Sequence, residues 1–122
     1  MSGIMQAQVR EVGDVVIVDL SGKLSAGGGD RVLKETLDEL LSDSRKKILL
    51  NLSEVSFMDS AGVGELVAGL RTARGLGASL RLLNANERVH STLYISRLLP
   101  IFELYRSEKE ALERFRAPAN PS

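Results

Sequence analysis

The chain has 122 residues, enough for one domain with a real hydrophobic core and too few for two. Sixteen basic residues cancel sixteen acidic ones and no basic stripe stands out, which argues against a nucleic-acid surface. There is no cysteine, hence no disulfide, thiolate metal site or Cys nucleophile, and three Phe, two Tyr and no Trp leave little material for base stacking.

The apolar runs are too short to span a membrane. The N-terminal residues lack the charged-then-apolar pattern of a signal peptide, so the expectation is a cytoplasmic protein with no membrane insertion. Residues 6–11 alternate, with Ala7 and Val9 against Gln6, Gln8 and Arg10, and predict an outer or edge strand. Gly13-Asp14 marks a turn, and the β-branched run Val15 to Leu20 predicts a strand covered on both faces, ended by Ser21-Gly22. Lys23 to Gly29 reads as a loop; its triple glycine lacks the Gly-Lys-Ser/Thr of a P-loop and serves as a flexible entry to a helix. Asp30 is the expected cap, and Leu33, Leu37, Leu40 and Leu41 form one helical face that closes at Ser42-Asp43-Ser44.

Lys47 to Leu52 predicts a third strand, with Lys46-Lys47 as its solvated end and Glu54 and Ser56 in a connecting loop. A helix is expected from Ser60 to Gly75, with Val63, Leu66, Val67 and Leu70 on its apolar face and Arg71 and Arg74 complementing the dipole at its end. Gly75-Leu76-Gly77 stops it. Ser79 to Leu83 is a fourth strand, Asn86 caps a short helix carrying Val89 and Leu93, and Ile101 to Tyr105 is a fifth strand. Ser107 with Glu110 resembles a capping box before a helix with Ala111, Leu112 and Phe115. Ala117 to Ser122 is expected to be a disordered tail. Together these elements predict an α/β fold: one small domain over residues 5–116, with a mostly parallel sheet of four to five strands, an antiparallel N-terminal strand pair and about four helices. In such sheets the loops after the strand C-termini carry function.

One of those loops holds Asp59 and Ser60, both favoured helix N-cap types, followed within a turn by Gly62 and Gly64. On residue types alone, either side chain simply caps the helix. The functional alternative is a phosphate on Ser60, since free backbone N–H groups and the helix dipole favour an anion there. Two early glycines, each costing roughly 0.8–1 kcal/mol relative to Ala in a helix, suggest a close approach to that backbone. Other chemistries fit poorly. A Ser-His-Asp hydrolase would need His90, the single histidine, and Asp59-Ser-Ala-Gly62 is not the Gly-x-Ser-x-Gly elbow. A dinucleotide fingerprint lacks its third glycine after Gly62-Val-Gly64. A phospho-Asp receiver would need an acidic cluster where the third strand ends in Asn51 and the second offers only Asp19. No metal site and no cofactor are expected.

The stretch Asn51-Leu-Ser-Glu-Val-Ser-Phe-Met-Asp-Ser-Ala-Gly-Val-Gly64 resembles, without a gap, the signature of bacterial anti-sigma factor antagonists, the STAS domain family. Members typically show Asp-Leu-Ser-x-Val-x-Phe, a hydrophobic residue, then Asp-Ser-Ser/Ala-Gly-Leu/Val-Gly. The resemblance covers roughly residues 5–116. It implies a STAS-like fold and a protein that is not an enzyme but a partner-switching regulator of transcription in stress responses. Unphosphorylated, such a protein binds an anti-sigma factor serine kinase of the histidine-kinase-like ATPase type and frees a sigma factor. Phosphorylation of the serine carried here by Ser60 ends that binding, and a metal-dependent PP2C-type phosphatase restores it. The resemblance further implies a partner surface of Ser25, Met58, Asp59, Ala61, Gly62, Val63 and Gly64, on a monomer or weak dimer. Core packing competes with that role for Val63. Two positions depart from the pattern: Ser25 stands where many members carry Asp, and Asn51 where Asp is usual. A rival within the fold is a STAS subunit of a stress-sensing scaffold or lipid-transport ATPase complex without regulated phosphorylation. From another class, a small-ligand-binding α/β domain would have no need of Ser60.

Overall fold

The β-branched run Val15–Val18 is buried throughout and opens an interior strand of a five-stranded sheet. In the computed structural model, which describes residues 4–116, the strands are β1 (Gln6–Val12), β2 (Val15–Leu24), β3 (Lys47–Met58), β4 (Ser79–Leu83) and β5 (Leu104–Tyr105). The helices are α1 (Gly29–Ser42), α2 (Ser60–Gly75), α3 (Glu87–Ile95) and α4 (Glu108–Arg116). The spatial order is β1-β2-β3-β4-β5, antiparallel between β1 and β2 and parallel elsewhere. The expected α/β class, antiparallel entry and helix count are all present.

Because the parallel strands follow one another in strict order, right-handed crossovers step the same way each time and place α1, α2 and α3 on one face. That face holds the larger core, where Val16, Val18, Ile48, Leu50 and Leu82 meet Leu33 and Leu37 of α1, Leu66 and Leu70 of α2 and Val89 and Leu93 of α3. The last helix, α4, covers the opposite face, packing Ala111 and Phe115 on Val15, Ile17, Leu49 and Leu83. Arg81 lies over the Phe115 ring, 4.3 Å from its centroid, an attractive cation–π geometry. A triad ties α4 to the first hairpin: Arg10 donates to Glu108 at 2.6 Å and 3.1 Å and to Asp19 at 2.7 Å and 3.2 Å.

Several boundaries differ from expectation. Gly22 does not end β2, which runs on to Leu24, and Glu54 and Ser56 lie within β3 rather than in a loop. These extensions pair with each other, and two register shifts give β3 an extra residue at each. A bulge breaks the alternation by which a strand is read, so the sequence pattern lapses there. Asn86 secures the first shift: its amide nitrogen donates to the carbonyl of Val55 at 2.7 Å, while its oxygen caps α3 by accepting from Val89 N–H at 3.0 Å. Asp30 is not the cap of α1. That helix begins at Gly29 without a side-chain cap, and Asp30 accepts from Arg31 N–H at 2.8 Å, inside the first turn. Val9 is 49% exposed at the uncovered edge, unlike Ala7 two residues before it, which packs on the core. The fifth strand shortens to two residues because Leu99–Ile101 forms a 3-10 turn around Pro100. Ser107 accepts from Glu110 N–H at 3.2 Å, giving the serine half of the capping box. Gly77 adopts the left-handed backbone that ends α2, and Ala78 N–H donates to the Ala73 carbonyl at 2.8 Å. The tail from Ala117 lies outside the described residues.

Candidate functional site

The paired extensions of β2 and β3 project past β4 and deliver α2 to the carboxyl-terminal edge of the sheet. Asp59 turns the chain there. It is the N-cap of α2, with extended backbone, and its Oδ1 accepts from Gly62 N–H at 3.1 Å. Its Oδ2 reaches 33 residues back and accepts from Ala26 N–H at 3.1 Å. One carboxylate thus joins the helix head to the glycine loop. These backbone hydrogen bonds, Gly62 first and Ala26 second, hold the Asp59 carboxyl below the usual carboxylate range, against a smaller opposing effect of desolvation.

With Asp59 committed to capping, Ser60 is free of that duty. It is the first residue of α2 and its side chain is exposed. Its hydroxyl therefore stands at the positive end of the helix dipole, open to solvent. The two early glycines divide. A side chain at Gly62 would overlap the Leu24 carbonyl oxygen, so the close approach inferred from sequence is made by β2 itself. Gly29 sits in the same way against the Lys23 carbonyl. Consecutive carbonyls at the end of β2 therefore receive the heads of α1 and α2. Gly64, by contrast, is exposed and has nothing within 4 Å of its Cβ position.

The remaining residues expected at this surface also separate. Ala61 and Ser25 are part-exposed and border Ser60 and Ala26. Met58, 4% exposed, and Val63, 6% exposed, belong to the main core, so neither presents a side chain for contact. Phe57, absent from the expected set, is 42% exposed on the last stretch of β3, beside Lys23 of β2. Its type was readable, but its orientation depends on the second register shift. Ala26 was missed as well, because a hydrogen bond spanning 33 residues leaves no trace in local sequence. His90 lines a separate groove with Ser53, Asn84 and Arg106, a set that does not include Ser60. Among the described residues no group of three or more His, Asp or Glu side chains is placed to hold a metal. No helix among them is long and apolar enough to cross a membrane.

A sequentially ordered sheet, with three helices on one face and a serine at the head of the second, defines a small α/β domain of STAS type. The chain belongs to the STAS domain family, whose model matches residues 6–111. Among its relatives, a TM1081 homologue from Thermotoga neapolitana is 36% identical over 102 residues, 84% of this chain and 90% of that one. The anti-sigma F factor antagonist of Paenibacillus polymyxa is 29% identical over 108 residues, 88% of this chain and 92% of that one. The solved structure of the anti-sigma factor antagonist SpoIIAA in its unphosphorylated form has a TM-score of 0.77 at 26% identity, covering 94% of this chain and 100% of that one. The phosphorylated form of SpoIIAA, a Bacillus protein, has a TM-score of 0.71 at 25% identity, covering 91% and 100%.

Proposed function

We propose that the chain is an anti-sigma factor antagonist that works as a phosphorylation switch at Ser60. Unphosphorylated, it binds an anti-sigma factor serine kinase of ATPase type and so releases a sigma factor. The kinase transfers the γ-phosphoryl group of ATP to the Ser60 oxygen, the hydroxyl proton is lost, ADP leaves, and the complex dissociates. A PP2C-type phosphatase hydrolyses the phosphoserine and restores binding. The chain itself supplies an acceptor and a surface, with no catalytic residues of its own.

The observation that carries this reading is the exposed Ser60 hydroxyl at the first position of α2, next to an Asp59 whose side chain already caps the helix. Relatives that are anti-sigma factor antagonists, one of them solved with and without phosphate, support it. The physical effect is large enough. A phosphoserine brings about −1.5 to −2 charge, and swinging a two-state equilibrium from 1:99 to 99:1 takes about 5.5 kcal/mol. Leaving a doubly charged group desolvated in an interface costs several kcal/mol. The bare backbone at Gly64 and the small Ala61 let a kinase active site come close, and Phe57 offers an apolar contact in place of the buried Met58 and Val63.

The test is phosphopeptide mass spectrometry on the protein from its own host, wild type beside Ser60→Ala, joined to pull-down of its partner. Phosphate at Ser60 in the wild type alone, with an ATPase-type kinase captured more strongly by Ser60→Ala, is the expected result. An unmodified Ser60 across growth and stress conditions would sink the switch. The rival reading, a subunit of a larger assembly, has one observation in its favour. Tyr94 and Ile95, 69% and 78% exposed, flank a shallow apolar groove with Leu99 and Pro100. That reading predicts a stable oligomer and no phosphate.

A further inference from the structure

Strand β1 is one end of the sheet, and among the described residues no strand pairs with its outer side. Every residue of it except Ala7 is exposed. Open strand edges are usually guarded by Lys, Pro, a bulge or short length. β1 has seven residues, no Lys and no Pro, and its register with β2 runs from Gln6–Ser21 to Val12–Val15 without a shift. Its two charges turn back onto the same chain: Arg10 pairs with Asp19 and Glu108, and Glu11 with Arg45. The hairpin fixes which backbone groups are free. Gly13-Asp14 is a two-residue turn with Gly13 at a φ of 63°, so its closing pair Val12–Val15 is hydrogen-bonded. Hydrogen-bonded pairs then alternate along the ladder, which turns the N–H and carbonyl groups of Ala7, Val9 and Glu11 outward. The opposite edge of the sheet, β5, has two residues and offers no such template.

We propose that β1 is the contact between two copies of this chain, paired antiparallel about Val9 to join two sheets into one. The register follows from the strand itself. A two-fold axis normal to the sheet sets side chains of the same face against each other. Only the pairing of Val9 with Val9 of the second copy engages all three outward-facing residues. Ala7 then faces Glu11, Gln8 faces Arg10 and Gln6 faces Val12 of the second copy, so no like charges meet. Sliding the strands by two residues one way puts Arg10 opposite itself. Sliding them the other way leaves Glu11 and Val12 beyond the partner strand. In the central register Val9, 49% exposed, is covered by its own counterpart. The contact is isologous and closes as a dimer, because the short β5 provides no second edge for growth. Since the paired strands run in opposite directions, the two α2 heads, with their Ser60 residues, lie at opposite ends of the joined sheet. None of the pairing residues belongs to the surface around Ser60, so the contact does not depend on phosphorylation.

The experiment is sedimentation velocity on the full chain, over a concentration series reaching the millimolar range. Wild type is compared with Val9→Lys, Val9→Glu and an equimolar mixture of the two. The wild type is expected to pass from monomer to dimer as concentration rises. Each variant alone sets like charges face to face and should weaken the dimer by about fivefold or more. The mixture should regain it, because opposite charges then meet at the same position. Ile95→Lys, in the groove beside α3, should leave the dimer unchanged. Amide exchange of the wild type gives a reading that needs no substitution. Ala7, Val9 and Glu11 amides should gain protection between dilute and concentrated solution, while the Leu50 amide in the sheet core stays constant. A wild type that is monomeric throughout would overturn the proposal. So would a dimer indifferent to Val9→Lys, a dimer dissolved by Ile95→Lys instead, a mixture no tighter than its parts, or β1 amides that exchange alike at both concentrations. Phosphate at Ser60 is read separately by mass spectrometry, so the failure of either reading leaves the other standing.

Discussion

At the scale of single residues, Gly62 and Gly64 look alike on paper and behave oppositely in the fold. A methyl at Gly62 meets the Leu24 carbonyl, which is backbone and cannot step aside. Gly62→Ala should therefore destabilise by about 1–3 kcal/mol, as overpacking does. Gly64→Ala meets nothing and gains helix propensity, so it should stabilise by up to about 1 kcal/mol. Urea unfolding of the two variants beside wild type checks both signs. If Gly64→Ala also weakens binding to the partner kinase, its bareness serves the interface. Asp59 makes a pH-dependent contribution of known sign. Its carboxyl is depressed in the folded chain, so its stabilisation is present above the ordinary carboxylate value of about 3.9 and fades as pH falls through the depressed one. The stability gap between wild type and Asp59→Asn should be constant from neutral pH down to about pH 4 and narrow in stronger acid. Denaturation curves across that range decide it, and a gap that widens in acid would contradict the assignment.

At the scale of elements, α4 is held by apolar packing of Ala111 and Phe115 and by the Arg10 triad. Both acids lie partly in solvent, so the ion pairs themselves are worth little. Glu108→Gln should cost about 0.2–1 kcal/mol, less at high salt. Its visible effect should be faster amide exchange in α4 without change in β3, because the helix has few other ties to β1. Asn51 gives this neighbourhood a further role. Its amide nitrogen donates to Asp19 at 2.8 Å, which, after the larger effect of Arg10, helps hold the Asp19 carboxyl below its usual range. Asn51→Asp, the residue usual in the family pattern, would set two carboxylates face to face and raise their folded pKa values. Wild type should then exceed the variant by about 1–2 kcal/mol above roughly pH 5, and the difference should shrink as pH falls and the pair binds a proton. The same denaturation series measures it. A difference that grows in acid would show that Arg10 absorbs the second charge.

At the scale of the whole molecule, the fold separates stability from signalling. Ile48, Leu50, Leu52 and Leu66 are fully buried, and truncating one such leucine to Ala costs about 2–5 kcal/mol. The exposed residues around Ser60 carry none of that load. Ser60→Ala should therefore fold like wild type, within about 0.5 kcal/mol, while losing any phosphate-dependent release of its partner. Ile95→Lys, also exposed, should be equally silent in stability. If sedimentation shows the wild type to be an oligomer that Ile95→Lys dissolves, the groove beside α3 is a subunit contact and the assembly reading gains.

The order of elements, the class of fold and the serine at a helix head were all legible in the chain. Local rules write them. The β-branched run Val15–Val18 asks for a covered strand, the leucines of α1 recur at helical spacing, and Asp59-Ser60 before an apolar stripe marks a helix start. Strict alternation of strand and helix then leaves few topologies. What the sequence could not place depends on pairs of residues far apart. The register shifts that lengthen β3 and turn Phe57 outward arise from pairing with β2. The burial of Met58 and Val63 follows from what α2 packs against. The Asp59–Ala26 bond exists because the ends of β2 and β3 lie side by side. Propensity and periodicity act over a few residues. Tertiary packing alone decides which surface each backbone meets, so Gly62 is filled by its own chain and Gly64 is left open.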